Sequence, residues 1–235
     1  MLANLGRVTH VLGESKQGLQ DLEQALHILK ETGDRNGEAT VTNDLGMLYT
    51  EIGDRERAKS YLEQSLQLRR EVGNRRGETR VLIDLGNVYM DEGRVALAKQ
   101  SYEQALQLLR EIGPGWREVR PLKKLGKVCE ALGQYEEALK YYRNALHLCR
   151  QVVNRWEESR ILFKIGSLYL LQSRYDVALA FLIHAKKFAE EVKSTDIEQI
   201  QEKLMEMQIK LGKEQFEKLS LEVESTATQL VDDDM

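Results

Sequence analysis

The stretch VLIDLGNVYMDEGRVALAKQSYEQAL, residues 81–106, decides the fold, because its frame returns along the chain. The Leu85-Gly86 pair recurs every 40 residues, at Leu5-Gly6, Leu45-Gly46, Leu125-Gly126 and Ile165-Gly166. Tyr89 has counterparts in Tyr49, Cys129 and Tyr169, Gly93 in Gly13, Gly53 and Gly133, and Ala98 in Ala58, Ala138 and Ala178. A period of roughly 20 to 50 residues marks a stacked array, in which each unit buries its apolar face on its neighbours. Such an array offers surface rather than a single central pocket.

Within the quoted stretch Leu82, Leu85, Gly86 and Tyr89 fall at i, i+3, i+4 and i+7, one face of a helix. Gly93 stops that helix with a left-handed cap. Ala98, Tyr102, Ala105, Leu106 and Leu109 repeat the three-four spacing on a second helix. Small residues at Gly86, Ala98 and Ala105 let the two backbones approach closely. The pattern predicts helices over 1–12, 15–32, 35–52, 55–72, 75–92, 95–112, 116–132, 135–152, 155–172 and 175–192. Five repeats follow, at about 1–32, 35–72, 75–112, 116–152 and 155–192.

The links repeat as well: Gly33-Asp34-Arg35, Gly73-Asn74-Arg75, Gly113-Pro114-Gly115 and Val153-Asn154-Arg155. Asp or Asn caps the next helix by accepting its backbone N–H groups. The Gly-Pro-Gly version lacks that cap and has Pro121 just beyond it, so a bend or looser packing is expected there. A capping helix is expected at 195–211, opened by Thr195 and Glu198 spaced as a capping box. Its apolar face, Ile197, Ile200, Leu204, Met207 and Leu211, would cover the fifth repeat. Residues 213–235 are read as a short helix through Phe216 and Leu219 followed by a disordered acidic end, Val231–Met235. Only four residues precede Leu5-Gly6, so the first repeat is read either as a worn natural cap or, by preference, as the start of a piece cut from a longer protein.

These residues resemble the tetratricopeptide repeat. Its pattern is met in the third repeat by Leu82, Leu85-Gly86, Tyr89, Gly93, Ala98, Tyr102 and Ala105. Two features depart from the family. The period is longer than usual, and Arg70, Arg110 and Arg150 stand where a Pro normally closes the second helix. The longer period is similar to that of Pins-type adaptors and of sensor arrays in bacterial STAND-class signalling ATPases. The resemblance implies an all-α, right-handed α-solenoid of helix-turn-helix repeats with a C-terminal capping helix. It further implies a concave face, lined by the first helix of each pair, that holds a peptide or a partner's helix.

The net charge of −4 gives no basic surplus for nucleic acid, and no apolar run reaches the roughly 18 residues of a membrane span. Cys129 and Cys149 sit in no disulfide or metal spacing, so free thiols and a cytoplasmic setting are expected. His10, His27, His147 and His184 are scattered, and the glycines fall one per turn rather than in a phosphate loop. The expected protein is therefore no enzyme, holds no cofactor or metal, and is a monomer or a piece of a larger chain. Its expected partner is a protein or peptide.

Counting back from each Leu-Gly pair, one column of the first helices reads Thr40, Arg80, Arg120 and Arg160. The others read Asn43, Ile83, Lys123 and Phe163; Asp44, Asp84, Lys124 and Lys164; and Met47, Asn87, Lys127 and Ser167. With these columns on the concave face, the groove comprises Asn43, Arg80, Ile83, Asn87, Arg120, Lys123, Lys124, Lys127, Arg160, Phe163 and Lys164. Its later part is basic and suits an acidic peptide or a carboxylate. Two alternatives stand beside that reading. Glu118, Glu157 and Glu158 neutralise the cluster and leave a solvated face, or the array is the sensor of a larger STAND-type ATPase. Chaperone-binding relatives clamp a carboxylate with two Lys, two Asn and an Arg. Asn87, Arg160 and Lys164 match three of those places, whereas Ile83 and Lys124 break the pattern.

Overall fold

The computed structural model describes residues 15–224 and residue 231. The readings of the helix at 1–12 and of the acidic residues 232–235 lie outside the described residues. Among the described residues eleven α-helices follow one another: α1 (Ser15–Thr32), α2 (Arg35–Ile52), α3 (Arg55–Glu71), α4 (Arg75–Asp91), α5 (Val95–Ile112), α6 (Val119–Ala131), α7 (Tyr135–Gln151), α8 (Arg155–Leu171), α9 (Tyr175–Glu191), α10 (Ile197–Leu211) and α11 (Lys213–Glu224). Among the described residues there is no strand. The fold is an all-α array of helix pairs.

The chain divides into two compact units, Met1–Pro114 and Gly115–Met235. In the first, α2 packs on α3 and α4 on α5, and α3 joins the pairs by packing on α4. Leu22, Val41, Leu45, Leu48, Leu62, Val81, Leu85 and Val88 form its continuous core. In the second, α6 pairs with α7 and α8 with α9, and α10 and α11 both lie against α9.

The Leu-Gly pair has a steric cause. A Cβ on Gly86 would stand 2.4 Å from Tyr102 Cε1, and one on Gly126 2.6 Å from Tyr142 Cε1. Each glycine is the seat for a large side chain that arrives 16 residues later on the partner helix. Tyr102 and Tyr142 are 1% and 2% exposed, so neither ring can step aside.

The links behave as their residues dictate. Asp34 accepts from the Gly37 N–H at 2.9 Å, Asn74 from Gly77 at 2.8 Å and Asn154 from Glu157 at 3.1 Å. At Gly113-Pro114-Gly115 no such side chain exists. A short 3₁₀ turn, Trp116–Glu118, intervenes, and the Glu118 carboxylate reaches back to the Gly115 N–H at 3.1 Å. Helix α6 therefore starts at Val119 rather than at the expected 116, and the boundary between the two units falls at this link.

Arginine in place of the usual proline has a role of its own. Arg70 Nε donates to Glu78 at 2.7 Å and Arg150 Nε to Glu158 at 3.1 Å, tying the end of one pair to the first turn of the next. Arg155 adds a second bond to Glu158 at 2.7 Å. Glu158 is 1% exposed, and a carboxylate buried that deeply needs such partners.

The expected capping box at Thr195 does not form. Helix α10 opens at Ile197 with Asp196 at its cap and no side-chain cap bond. Ser194 takes the local role instead, donating to the Asp196 carboxylate at 3.2 Å and accepting the Asp196 N–H at 3.1 Å. Ile200 and Met207 are fully buried, while Ile197, Leu204 and Leu211 are half-buried. Helix α9 explains the need for cover: Val177 through Leu182, Ala185 and Ala189 are all buried. A helix apolar nearly all round must be enclosed on several sides.

Candidate partner-binding site

In the second unit the first helices α6 and α8 and the start of α10 surround a cleft of about 460 Å³. Six cations line it: Arg120, Lys123, Lys124 and Lys127 from α6, and Arg160 and Lys164 from α8. Two carboxylates do so, Glu157 and Asp196. Phe163 contributes apolar surface between the charges, above the fully buried Ile161. The Leu-Gly register accounts for this arrangement, since the residues one, two and five places before each pair, and the one just after it, lie beside the buried stripe.

Several cations already have partners. Lys123 Nζ pairs with the Glu157 carboxylate, and both side chains are about three-quarters buried. Arg160 Nε stands 3.4 Å from Asp196 and its guanidinium lies 4.7 Å over the Trp156 ring. Lys164 is 3.9 Å from Glu130, which also accepts from the Tyr142 hydroxyl at 2.5 Å. Burial and the Glu130 carboxylate push the Tyr142 hydroxyl far above its ordinary range. Arg120 and Lys124 make interactions of their own. Lys127 is exposed and forms no ion pair among the described residues.

The three glutamates expected to neutralise the cluster differ in their neighbours. Glu157 answers Lys123, whereas Glu158 is taken by Arg150 and Arg155 and Glu118 bonds the Gly115 N–H. Sequence reasoning missed Asp196, Gln199 and Ile200, which form the wall contributed by α10. The signal was present: Asp196 precedes the first turn of a helix read only as a cap.

In the first unit the corresponding residues divide: Asn43 and Ile83 are buried, Asn87 is half-buried and Arg80 is exposed. Asn43 and Ile83 are 3% and 4% exposed. Asn43 Nδ2 stands 3.5 Å from the Asp84 carboxylate, and its Oδ1 has no hydrogen-bond partner among the described residues. Arg80 lies 4.0 Å from both Asp44 and Asp84, so it is matched by buried carboxylates. Asn87 Oδ1 accepts from the Tyr102 hydroxyl at 3.0 Å. Burial and the nearby Arg80 lower the Arg69 pKa, opposed by Asp44. Of the eleven groove residues expected from sequence, seven thus meet at one cleft in the second unit. Asn43, Arg80, Ile83 and Asn87 belong to the first unit, and Asn43 and Ile83 present almost no open surface.

No helix of the described residues is long and apolar enough to cross a membrane. Nor does any group of three or more His, Cys, Asp or Glu among the described residues gather at metal-binding distance. No curated protein matches the chain. Several solved structures share its fold. It is similar to BtubC (BKLC) from P. vanneervenii, with 18% identity, a TM-score of 0.75, and coverage of 92% of this chain and 90% of that one. It is similar to the apo form of RapI at 16% identity and a TM-score of 0.75, covering 99% of this chain and 80% of that one. It is also similar to a STAND signal-transduction ATPase with a tetratricopeptide repeat sensor from Pyrococcus horikoshii. That match has 15% identity and a TM-score of 0.74, and covers 88% of this chain but 35% of that one. Arrays of this fold are generally protein-interaction or sensor modules rather than catalysts. The MalT-like TPR region model matches residues 1–233, and the chain belongs to that family.

Proposed function

We propose that the second unit binds an acidic segment of a protein partner in the cleft lined by Arg120, Lys123, Lys124, Lys127, Arg160 and Lys164, and that the chain acts by binding, without catalysis. The supporting observation is the imbalance of that lining, six cations to two carboxylates, with Lys127 unpaired among the described residues. Arginine offers a planar fork that holds a carboxylate by two bonds, and lysine a mobile point charge. An exposed pair contributes only about 0–1 kcal/mol, so affinity needs several pairs together with apolar burial on Phe163. The ligand is therefore an acidic stretch with at least one apolar side chain. Binding weakens with salt, because exposed charges are screened over about 10 Å at 0.1 M ionic strength.

The test is an anisotropy titration with a labelled Glu/Leu peptide and its Gln/Leu counterpart. Lys127→Glu and Lys164→Glu are the variants of choice, since Lys123 is tied to Glu157 and its reversal would disturb the packing. Tight binding of the acidic peptide, lost in the double variant at an unchanged helical spectrum, is expected. Equal affinity for the two peptides would exclude the reading.

The likeness to the STAND ATPase sensor favours a second reading, in which the array senses a ligand for a larger signalling ATPase. A nucleotide-binding module in the same natural polypeptide would select it; without one, the adaptor reading stands.

A further inference from the structure

In the second unit the repeat frame runs one step past the fifth pair. Helix α10 stands where the first helix of a further pair would, and Met205-Glu206 falls at the place of the Leu-Gly pair. Ile209 falls in the column of Tyr49, Cys129 and Tyr169. In the earlier pairs both columns are covered: Leu45, Leu85, Leu125 and Ile165 are buried, and so are Tyr49, Cys129 and Tyr169. In α10 they lie open. Met205 is 62% exposed and Ile209 77%.

The residues explain why no second helix closes on this face. Glu206 replaces the seat glycine, where in the other pairs even a Cβ would crowd the arriving side chain, and it is held there by Lys203 and Lys210. Helix α11 carries Lys218 and Glu222 where α9 has Ala178 and Leu182, and it packs on α9 as well as on α10.

One stripe of α10 reads Glu202, Met205 and Ile209, and Lys213 follows at the same spacing just past the helix end. Glu202 is exposed, and the Lys213 side chain is 79% exposed. Turned end for end, this stripe meets its own complement. A two-fold axis between Met205 and Ile209 sets apolar against apolar at the centre and acid against base at both ends. A surface that is its own complement is what an isologous dimer requires.

We propose that α10 is a self-association surface, on which two copies of the chain pair antiparallel through Met205 and Ile209, with Glu202 of each opposite Lys213 of the other. Apolar burial supplies the affinity, and the two charge pairs fix the register. A helix of 15 residues is about 22 Å long, so the contact stays below the roughly 1,200 Å² of stable complexes and the dimer is reversible. The surface is separate from the basic cleft, to which α10 gives only Gln199 and Ile200.

The test is sedimentation equilibrium of the full chain up to about 1 mM, where a reversible monomer–dimer equilibrium is expected. Ile209→Lys should raise its dissociation constant at least about tenfold at an unchanged helical spectrum. Glu202→Lys and Lys213→Glu should each weaken the dimer, and the two combined in one chain should restore it. A chain that stays monomeric, a dimer untouched by Ile209→Lys, or a double variant as weak as the single ones would overturn the proposal. So would a dimer lost in Lys127→Glu, which would place the contact at the basic cleft.

Discussion

Gly86 and Ser173 mark the two ways in which single residues set this fold. A methyl group on Gly86 would meet the Tyr102 ring at 2.4 Å, and that ring is held by its hydroxyl bond to Asn87. Gly86→Ala should therefore cost about 1–3 kcal/mol, the usual penalty for overpacking, read as a lower urea midpoint at unchanged slope. Gly166→Ala, facing Leu182 at 3.0 Å, should cost less. Ser173 works in the opposite sense. Its φ of 59° is left-handed, at the place where Gly53 has a φ of 88°. Ser173→Gly should gain up to about 1 kcal/mol, because relief of the Cβ clash exceeds the added freedom of the unfolded chain. A thermal midpoint that falls on this substitution would contradict the reading. The glycine column was legible in the sequence because steric demand removes every alternative there. The strain at Ser173 was legible only through the register, which places it in the column of Gly53, Gly93 and Gly133, since a serine by itself does not announce a positive φ. Cys149 was legible only as a free thiol; burial and the nearby Glu157 and Glu158 push it up to about 12, against the pull of Lys123.

At the level of elements, the periodic pattern located the helices well because it records which face is buried. It could not say which carboxylate would answer which cation, since that depends on rotamers reaching across helices. Lys123 with Glu157 and Arg160 with Asp196 are pairs of this kind. The Thr195 box failed for a related reason: Ser194 and Asp196 satisfy each other, and the helix begins later. Helix α10 carries a test of its electrostatics. Lys203 and Lys210 bond Glu206 at 2.6 and 2.9 Å and hold its carboxyl down to about 2. The folded value lies below the ordinary carboxylate value of about 4.3, so the stabilisation is complete above that pH and is lost as pH falls towards 2. Glu206 is more than a third exposed, so screening limits the effect. Glu206→Gln should cost less than about 1 kcal/mol at neutral pH, and the difference should vanish near pH 2. A deficit of the same size at both pH values would show that the loss is one of packing.

At the level of the whole molecule, the division at Pro114 and Gly115 predicts unfolding in two steps. Arrays hold together through nearest-neighbour terms, and a link without its side-chain cap is where cooperativity breaks first. Both tryptophans, Trp116 and Trp156, belong to the second unit, whereas helical circular dichroism reports on both units. The two signals should therefore give urea midpoints that do not coincide. Superimposable curves, with equal hydrogen-exchange protection across residues 113–115, would show a single cooperative body. The arginine-for-proline exchange has a consequence for how such a chain changes length over evolutionary time. The Asx cap recurs at Asp34, Asn74 and Asn154 but not at Pro114, whereas the Arg and Glu positions of the ties recur at the interval of the Leu-Gly pair, as Arg70 and Glu78, Arg110 and Glu118, and Arg150 and Glu158. An in-frame duplication or deletion of one complete 40-residue block hands each carboxylate a new arginine in the same place. A block of any other length would bring a nearly buried glutamate to a junction with no cation opposite. Gene duplication can therefore lengthen or shorten this array only in whole steps, and the ionic ties act as the filter that discards every other edit.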